Sequence, residues 1–238
     1  TFGKLLLWTA IWAIASTFLN YVVGLGLALL TNKKGIKLKG MWRTIYILPY
    51  AMPAFISLLV FRLMFNGIGP INNMLVNFGI ERIPFFTDPI LAKISVLAIN
   101  TWVGAPYFMV LLSGSLTNIS STLYEAAEID GATKMQQFKH ITLPMLLFQT
   151  APVLILSFAY NFNNFGAIYL LTDGNPVNSN LKFAGETDIL VTWLYKLTVN
   201  QQQFGMAAVI SIVLFAFIAT VSLYNFRKSK SFTEEDMI

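Results

Sequence analysis

The sequence predicts an all-α, polytopic membrane protein with five transmembrane helices. Three observations carry that prediction. Uncharged apolar runs long enough to cross a bilayer recur along the chain. Only 11% of its 238 residues are charged and 56% are hydrophobic, whereas a soluble domain carries roughly 25% charge. Of the 16 Lys and Arg, all but Lys4, Arg62, Arg82, Lys93, Lys182 and Lys196 gather in three short segments, which makes the +5 net charge a property of loops rather than a sign of nucleic-acid binding. The chain has no Cys, which excludes a disulfide framework and a thiolate metal site or nucleophile. It starts at Thr1 with no cleavable signal pattern, so residues upstream are expected.

The first span is expected at about 5–30. Gly24 and Ala28 form a small-xxx-small face for a neighbouring helix. The Gly24-Leu25-Gly26 triplet has no preceding strand and no full fingerprint, so it is not read as a phosphate loop. Asn20 is read as an interhelical bond rather than a ligand contact. Lys33, Lys34, Lys37, Lys39 and Arg43 follow with no acid among them. They mark the cytoplasmic side, or an anionic-lipid patch that is also cytoplasmic.

The second span, 44–65, contains Pro49 and Pro53. Each removes an N–H and clashes with the preceding turn, so a doubly kinked helix is expected. Tyr50, Ala54 and Ser57 share one face at i, i+4, i+7, either for packing or as a cavity wall. Arg62 is expected to snorkel. Residues 66–93, rich in Gly and Pro, read as an external loop. The third span, 94–117, places Asn100, Gly104 and Tyr107 on one face.

Residues 121–144 are polar with a helix–turn–helix pattern. Thr122 and Glu125 have the spacing of a capping box. Ala126 and Ala127 keep the surface of the following two turns low enough for close approach. Gly131 stops the helix where positive φ is needed. A second short helix is expected over 133–140, with Phe138 and Ile141 as apolar teeth. Pro144 suits the first turn of the next helix. The lone His140 is a solvated or docking residue rather than a metal ligand, since the chain has no second His.

The fourth span, 145–171, carries Ser157, Asn161 and Asn164 on one face with Tyr160 beside it. Such polar groups are costly in hydrocarbon, and cavity lining is preferred here over interhelical bonding. Residues 172–203 read as an external loop, in which Ile189, Leu190, Trp193, Leu194 and Leu197 suggest an amphipathic helix at the membrane interface. The fifth span, 204–226, is followed by Arg227, Lys228, Lys230 and a polar tail. With an external start, five spans put the loops at 33–43 and 121–144 and the C-terminus in the cytoplasm.

Glu125-Ala126-Ala127, Gly131, Ile141 and Leu143-Pro144 match the EAA loop of importer-type ABC transporter membrane subunits with every spacer intact. The stretches LPYAMPAFISLLVFRLMFN, NTWVGAPYFMVL and SFAYNFNNFGAIYLLTDGNP extend the resemblance over nearly the whole chain. They are similar to the MalF-type permease subunits of maltose/maltodextrin importers. The resemblance implies a single type I ABC importer transmembrane domain over 1–238, in a bacterial cytoplasmic membrane. It implies a sugar site on Tyr50, Asn100, Val103, Gly104, Tyr107, Ser157, Tyr160 and Asn161. Ala54 departs from the family pattern, where a Ser contacts sugar. For the loop it implies ATPase coupling through Glu125, Ala126, Ala127, Asp130, Gly131, Phe138, Ile141, Leu143 and Pro144. The implied partners are a second, MalG-type membrane subunit, a dimer of ABC ATPases holding ATP and Mg, a sugar-binding protein outside the membrane, oligosaccharide and lipid. Related subunits for galacto-oligosaccharides or other glucans share much of the pattern.

The residues agree with that chemistry. Amides and hydroxyls both donate and accept, as sugar hydroxyls do, and Tyr rings cover apolar sugar faces. A channel needs charged rings or a filter sequence. An enzyme needs an acid–base or metal set, and the spans hold no carboxylate. No G-x-x-x-x-G-K-[ST] motif is present, so ATP hydrolysis falls to partners, with no cofactor, no catalytic residue and no metal in this chain.

Overall fold

The structure, a computed structural model, describes residues 1–33 and 35–228. Lys34, Lys230 and the polar tail, all named above, lie outside the described residues. The described chain is helical, with one isolated bridge between Val177 and Gly185.

Helix α1 (Phe2–Asn32) and helix α5 (Pro89–Thr117) are long, apolar and packed along each other. Their closeness depends on Gly24. A Cβ there would come within 2.5 Å of the Phe108 Cβ and 2.8 Å of the Ala105 carbonyl oxygen. Ala28, one turn on, is fully buried in the same seam. The small-residue face is thus used for helix contact. Asp88 caps α5 by accepting from the Ile90 and Leu91 N–H groups, at 3.0 and 2.8 Å, with Pro89 in the first turn. The helix therefore starts five residues before the expected 94.

The second span is broken rather than doubly kinked. Helix α2 (Lys39–Ala51) and helix α3 (Ala54–Met64) meet at 88°. Met52, forced extended by the proline that follows, has ψ 142°, and Pro53 opens α3. Pro49 stays inside α2, buried. Arg62, expected to snorkel, also donates to the Leu170 carbonyl at 3.4 Å. The expected loop at 66–93 contains a helix, α4 (Pro70–Asn77), held to the backbone of Ile83 by Asn72.

Helix α6 (Ser121–Ile129) is capped by Ser120, whose hydroxyl accepts from Thr122 N–H at 3.3 Å. The expected Thr122–Glu125 box is not formed, because Ser120 offers the same hydroxyl two residues earlier and Thr122 joins the first turn. A capping box does form one helix later, where Thr133 and Gln136 cap helix α7 (Lys134–Gln137) reciprocally. The expected helix at 133–140 does not stop at His140. It passes through a π segment (Phe138–Thr142) straight into helix α8 (Leu143–Phe162). Leu143 N–H reaches back five residues to Phe138, and this wider turn accommodates the ring of Pro144.

The fourth span also breaks. Helix α8 ends at Phe162, and helix α9 (Phe165–Thr172) restarts under the cap of Asn164, whose side chain accepts from Ala167 N–H at 3.2 Å. Helix α10 (Leu190–Tyr195) and a π segment (Lys196–Asn200) hold the expected amphipathic stretch, but not at a lipid interface. Ile189, Leu190, Trp193 and Leu197 are buried in the protein core. The Thr9 hydroxyl accepts from Leu190 N–H at 3.0 Å, so the apolar face turns onto α1, α9 and helix α11 (Phe204–Lys228).

Phe2–Asn32, Pro89–Thr117 and the continuous Lys134–Phe162 are each long and apolar enough to cross a membrane. The bent α2–α3 pair qualifies as one further crossing, and α11 adds a shorter apolar stretch, Phe204–Thr220.

Candidate functional site

The two breaks face each other across a cavity of about 840 Å³. Its wall contains Met52 and Pro53 from the first break and Asn161 and Asn164 from the second. All eight residues expected at a sugar site line it: Tyr50, Asn100, Val103, Gly104, Tyr107, Ser157, Tyr160 and Asn161. Ala54 lines it too, whereas Ser57 from the same helical face is buried outside it. No Asp, Glu, Lys, Arg or His is among the lining residues.

The amides are organised before any ligand arrives. Asn100 Nδ2 donates to Asn161 Oδ1 at 3.2 Å, and Asn164 Nδ2 donates to Asn100 Oδ1 at 3.3 Å. Asn161 Nδ2 donates to the Ser157 carbonyl at 2.9 Å and to the Thr17 hydroxyl at 3.3 Å. The Asn161 carbonyl accepts from the Trp12 indole at 3.0 Å. Cavity lining and interhelical bonding, weighed as rivals above, are thus done by the same side chains. The tyrosines differ. Tyr50 is 56% and Tyr160 68% exposed, and the Tyr50 and Tyr107 rings meet at 5.9 Å with their planes tilted by 36°. Gly104 is required by the amide of Asn20, because a Cβ at 104 would come within 2.5 Å of Asn20 Nδ2.

Two further amides line the cavity beyond those eight residues. Asn164, read from the sequence on the cavity face with Ser157 and Asn161, lines it from the cap of α9. Asn20 sits on α1 in the cavity wall, and the interhelical bond expected of it is not formed among the described residues.

A second surface lies at residues 121–144. Gly131 has φ +78°, and the turn closes with Ala132 N–H donating to Ala127 O at 2.8 Å and Gly131 N–H to Glu128 O at 3.1 Å. Glu125 and Ala126 are exposed, and Ala127, Asp130 and Gly131 edge a shallow depression with Gln136, His140 and Ile141. Phe138, Ile141 and Leu143 turn inward instead and pack on the core cluster of Leu112 and Leu146. The teeth of this loop therefore grip its own helices. The apolar groups it presents outward are Leu123, Ile129 and Met135, the last two 87% and 72% exposed. Leu123 and Ile129 lie on α6, six residues apart, and the turn at Gly131 separates Met135 from both. Lys134 is paired with Glu128 across that turn.

The family described as "Binding-protein-dependent transport system inner membrane component" matches residues 20–230. The chain belongs to this family. It is 41% identical over 237 residues to the galactooligosaccharides transport system permease protein GanP of Bacillus subtilis, covering 99% of this chain and 56% of that one. It is 42% identical over 247 residues to the maltodextrin transport system permease protein MdxF of the same organism, covering 100% and 57%. The chain thus spans a little over half the length of these curated relatives. In fold it matches a bacterial ABC transporter involved in import of the acidic polysaccharide alginate, with TM-score 0.79 and 24% identity over 98% of this chain and 80% of that one. Membership makes the chain an inner membrane component, in keeping with its apolar helices.

Proposed function

We propose that this chain is a translocation-pathway subunit of an ATP-driven importer for neutral oligosaccharides, with malto-oligosaccharides as first cargo. One observation carries the reading: the cavity between the two broken spans sets amides, tyrosines and the Ser157 hydroxyl among apolar side chains and holds no Asp, Glu, Lys, Arg or His. A neutral sugar gains hydrogen bonds at its rim and ring contact on its faces there, while an ionic cargo finds no counter-charge. Galacto-oligosaccharide is the competing cargo, since one relative bears that name. Tyr50, Val103, Gly104, Tyr107, Ser157 and Tyr160 form the contact surface, on a frame made by Asn100 and Asn161.

The surface at 121–144 takes one subunit of an ATPase dimer, whose subunits bind ATP and Mg. Glu125, Ala126, Ala127, Asp130 and Gly131 supply the contact, and Phe138, Ile141, Leu143 and Pro144 anchor it to α8. A second, MalG-type membrane subunit completes the pathway, and a sugar-binding protein delivers cargo to the side of residues 172–203. The basic 33–43 loop, the 121–144 loop and the C-terminus face the cytoplasm.

The test is uptake by the assembled complex in proteoliposomes with its sugar-binding protein. Maltotriose uptake is expected, competed by neither glucuronate oligomers nor amino acids. Uptake of a charged oligomer in preference to both maltotriose and galactotriose overturns the reading.

A further inference from the structure

We propose that Asn20, on α1, is a specificity-determining contact that hydrogen-bonds a hydroxyl of the transported sugar. This rests on the cavity reading above and adds α1 to its ligand-binding wall.

The observation is an asymmetry among the cavity amides. Asn100, Asn161 and Asn164 spend their hydrogen bonds on one another, on Ser157 and Thr17, and on a helix cap. Asn20 lines the same cavity and is only 5% exposed, yet its Oδ1 is buried with no partner among the described residues. A buried amide oxygen without a donor is costly to the fold and uncommon. Its neighbourhood preserves it: position 104 is Gly, and any side chain there would collide with the Asn20 amide. The torsion that turns an Asn amide is broad and roughly two-fold, so a half-turn about it exchanges which edge faces the cavity. Asn20 therefore answers a hydroxyl that donates or one that accepts. The other amides lack that freedom, because turning any of them breaks bonds between helices. Cargo discrimination by hydrogen bonding is steep where a buried polar group is left unpaired by the wrong substrate. Asn20 is the one cavity amide here whose oxygen stands in that position.

The experiment uses the full complex in proteoliposomes with its sugar-binding protein, and whichever of maltotriose and galactotriose the wild type carries. Asn20→Ala removes the amide, and Asn20→Leu replaces it with a similar volume and no polar atom. Both variants should assemble and unfold at or above the wild-type temperature, since no bond within the protein is lost from Oδ1. Receptor-stimulated ATP hydrolysis should persist, while sugar taken up per ATP falls by about tenfold, the worth of one well-made hydrogen bond in a dry site. Asn100→Ala is the control for the cavity itself. Wild-type uptake in the Asn20 variants with loss in Asn100→Ala sinks this proposal and spares the cavity. Wild-type uptake in all three removes both. Loss of assembly or a lowered unfolding temperature in both Asn20 variants makes the residue structural and overturns the proposal.

Discussion

Asn100 and Asn161 are joined by an amide–amide hydrogen bond of 3.2 Å that ties the middle of α5 to the last turn of α8. Asn161 is only 2% exposed, and its Nδ2 is already committed to Ser157 and Thr17. Asn161→Ala should therefore act first on the frame. It strands the Asn100 amide and should cost about 1–3 kcal/mol of stability, because a buried polar group loses its partner. Asn100→Ala should do the same to Asn161 and Asn164. Sugar uptake should fall strongly in both, with receptor-stimulated ATP hydrolysis retained at least in part. Thermal unfolding and uptake measured together check this. Unchanged unfolding and unchanged uptake would leave the amide bond without consequence.

The turn at Gly131 carries the coupling prediction. A β-branched residue is strongly disfavoured at φ +78°. Gly131→Val should distort the loop, and Ala127→Asp should place a charge on the edge of the depression beside it. Loss of ATPase subunits from the purified complex, with the cavity intact, is the expected outcome. A full complement of ATPase and wild-type uptake in both variants would reduce residues 121–144 to a connector.

Lys196 and Asp188 form a 2.8 Å ion pair with the Asp188 side chain fully buried. Burial pushes the Asp188 carboxyl above its usual range, and Lys196 opposes that push. Gly185 N–H also donates to the carboxylate at 2.7 Å, and Lys196 reaches the Asp173 carbonyl at 2.6 Å. Lys196→Met should destabilise the 172–203 segment by about 3–5 kcal/mol, since it leaves the buried carboxylate uncompensated. The double variant with Asp188→Asn should recover part of that loss. Equal unfolding temperatures for wild type and Lys196→Met would show the pair to be idle.

Glu186 behaves in the opposite sense. The hydrogen bond from Lys93 holds its carboxyl below the usual range, and Asn178 supports it. A depressed folded-state value stabilises the fold above the unfolded value, about 4.3, and that contribution is lost as pH falls through the folded value. Wild type should lose more thermal stability than Glu186→Gln on acidification from pH 6 to below about 4. Parallel pH curves for the two proteins would dismiss the pair as a source of stability.

Orientation is checked by labelling. A Cys at Asn178 should react with an impermeant thiol reagent from outside and one at Lys37 only from the cytoplasm, as the concentration of cations at 33–43 requires. The reverse pattern would invert the topology and the role given to residues 121–144.

Much of the cavity was legible because polar residues at helical spacing in apolar runs have few inexpensive places to go. Asn100 and Tyr107 on one span and Ser157 and Asn161 on another do line one cavity. Val103 came only from the family resemblance, since an apolar residue in an apolar run carries no signal. The breaks were less legible. Pro53 announced a kink but not 88°, and nothing in Asn163-Asn164 distinguishes a helix restart from two more lining residues. The 189–197 stretch shows the limit of amphipathicity: it reports that one face is apolar, not whether lipid or protein covers it.

The breaks at Met52–Pro53 and Asn163–Asn164 bring four helix ends to the cavity: the carboxyl ends of α2 and α8 and the amino ends of α3 and α9. A helix terminus carries roughly half an elementary charge, negative at the carboxyl end and positive at the amino end. The cavity thus receives two partial charges of each sign from backbone alone. Such a field is balanced overall but strongly patterned, and it requires no ionised side chain at that depth. A molecule whose many small dipoles can each turn to match is held well by it, whereas a single fixed charge gains from one pair of ends what it loses to the other.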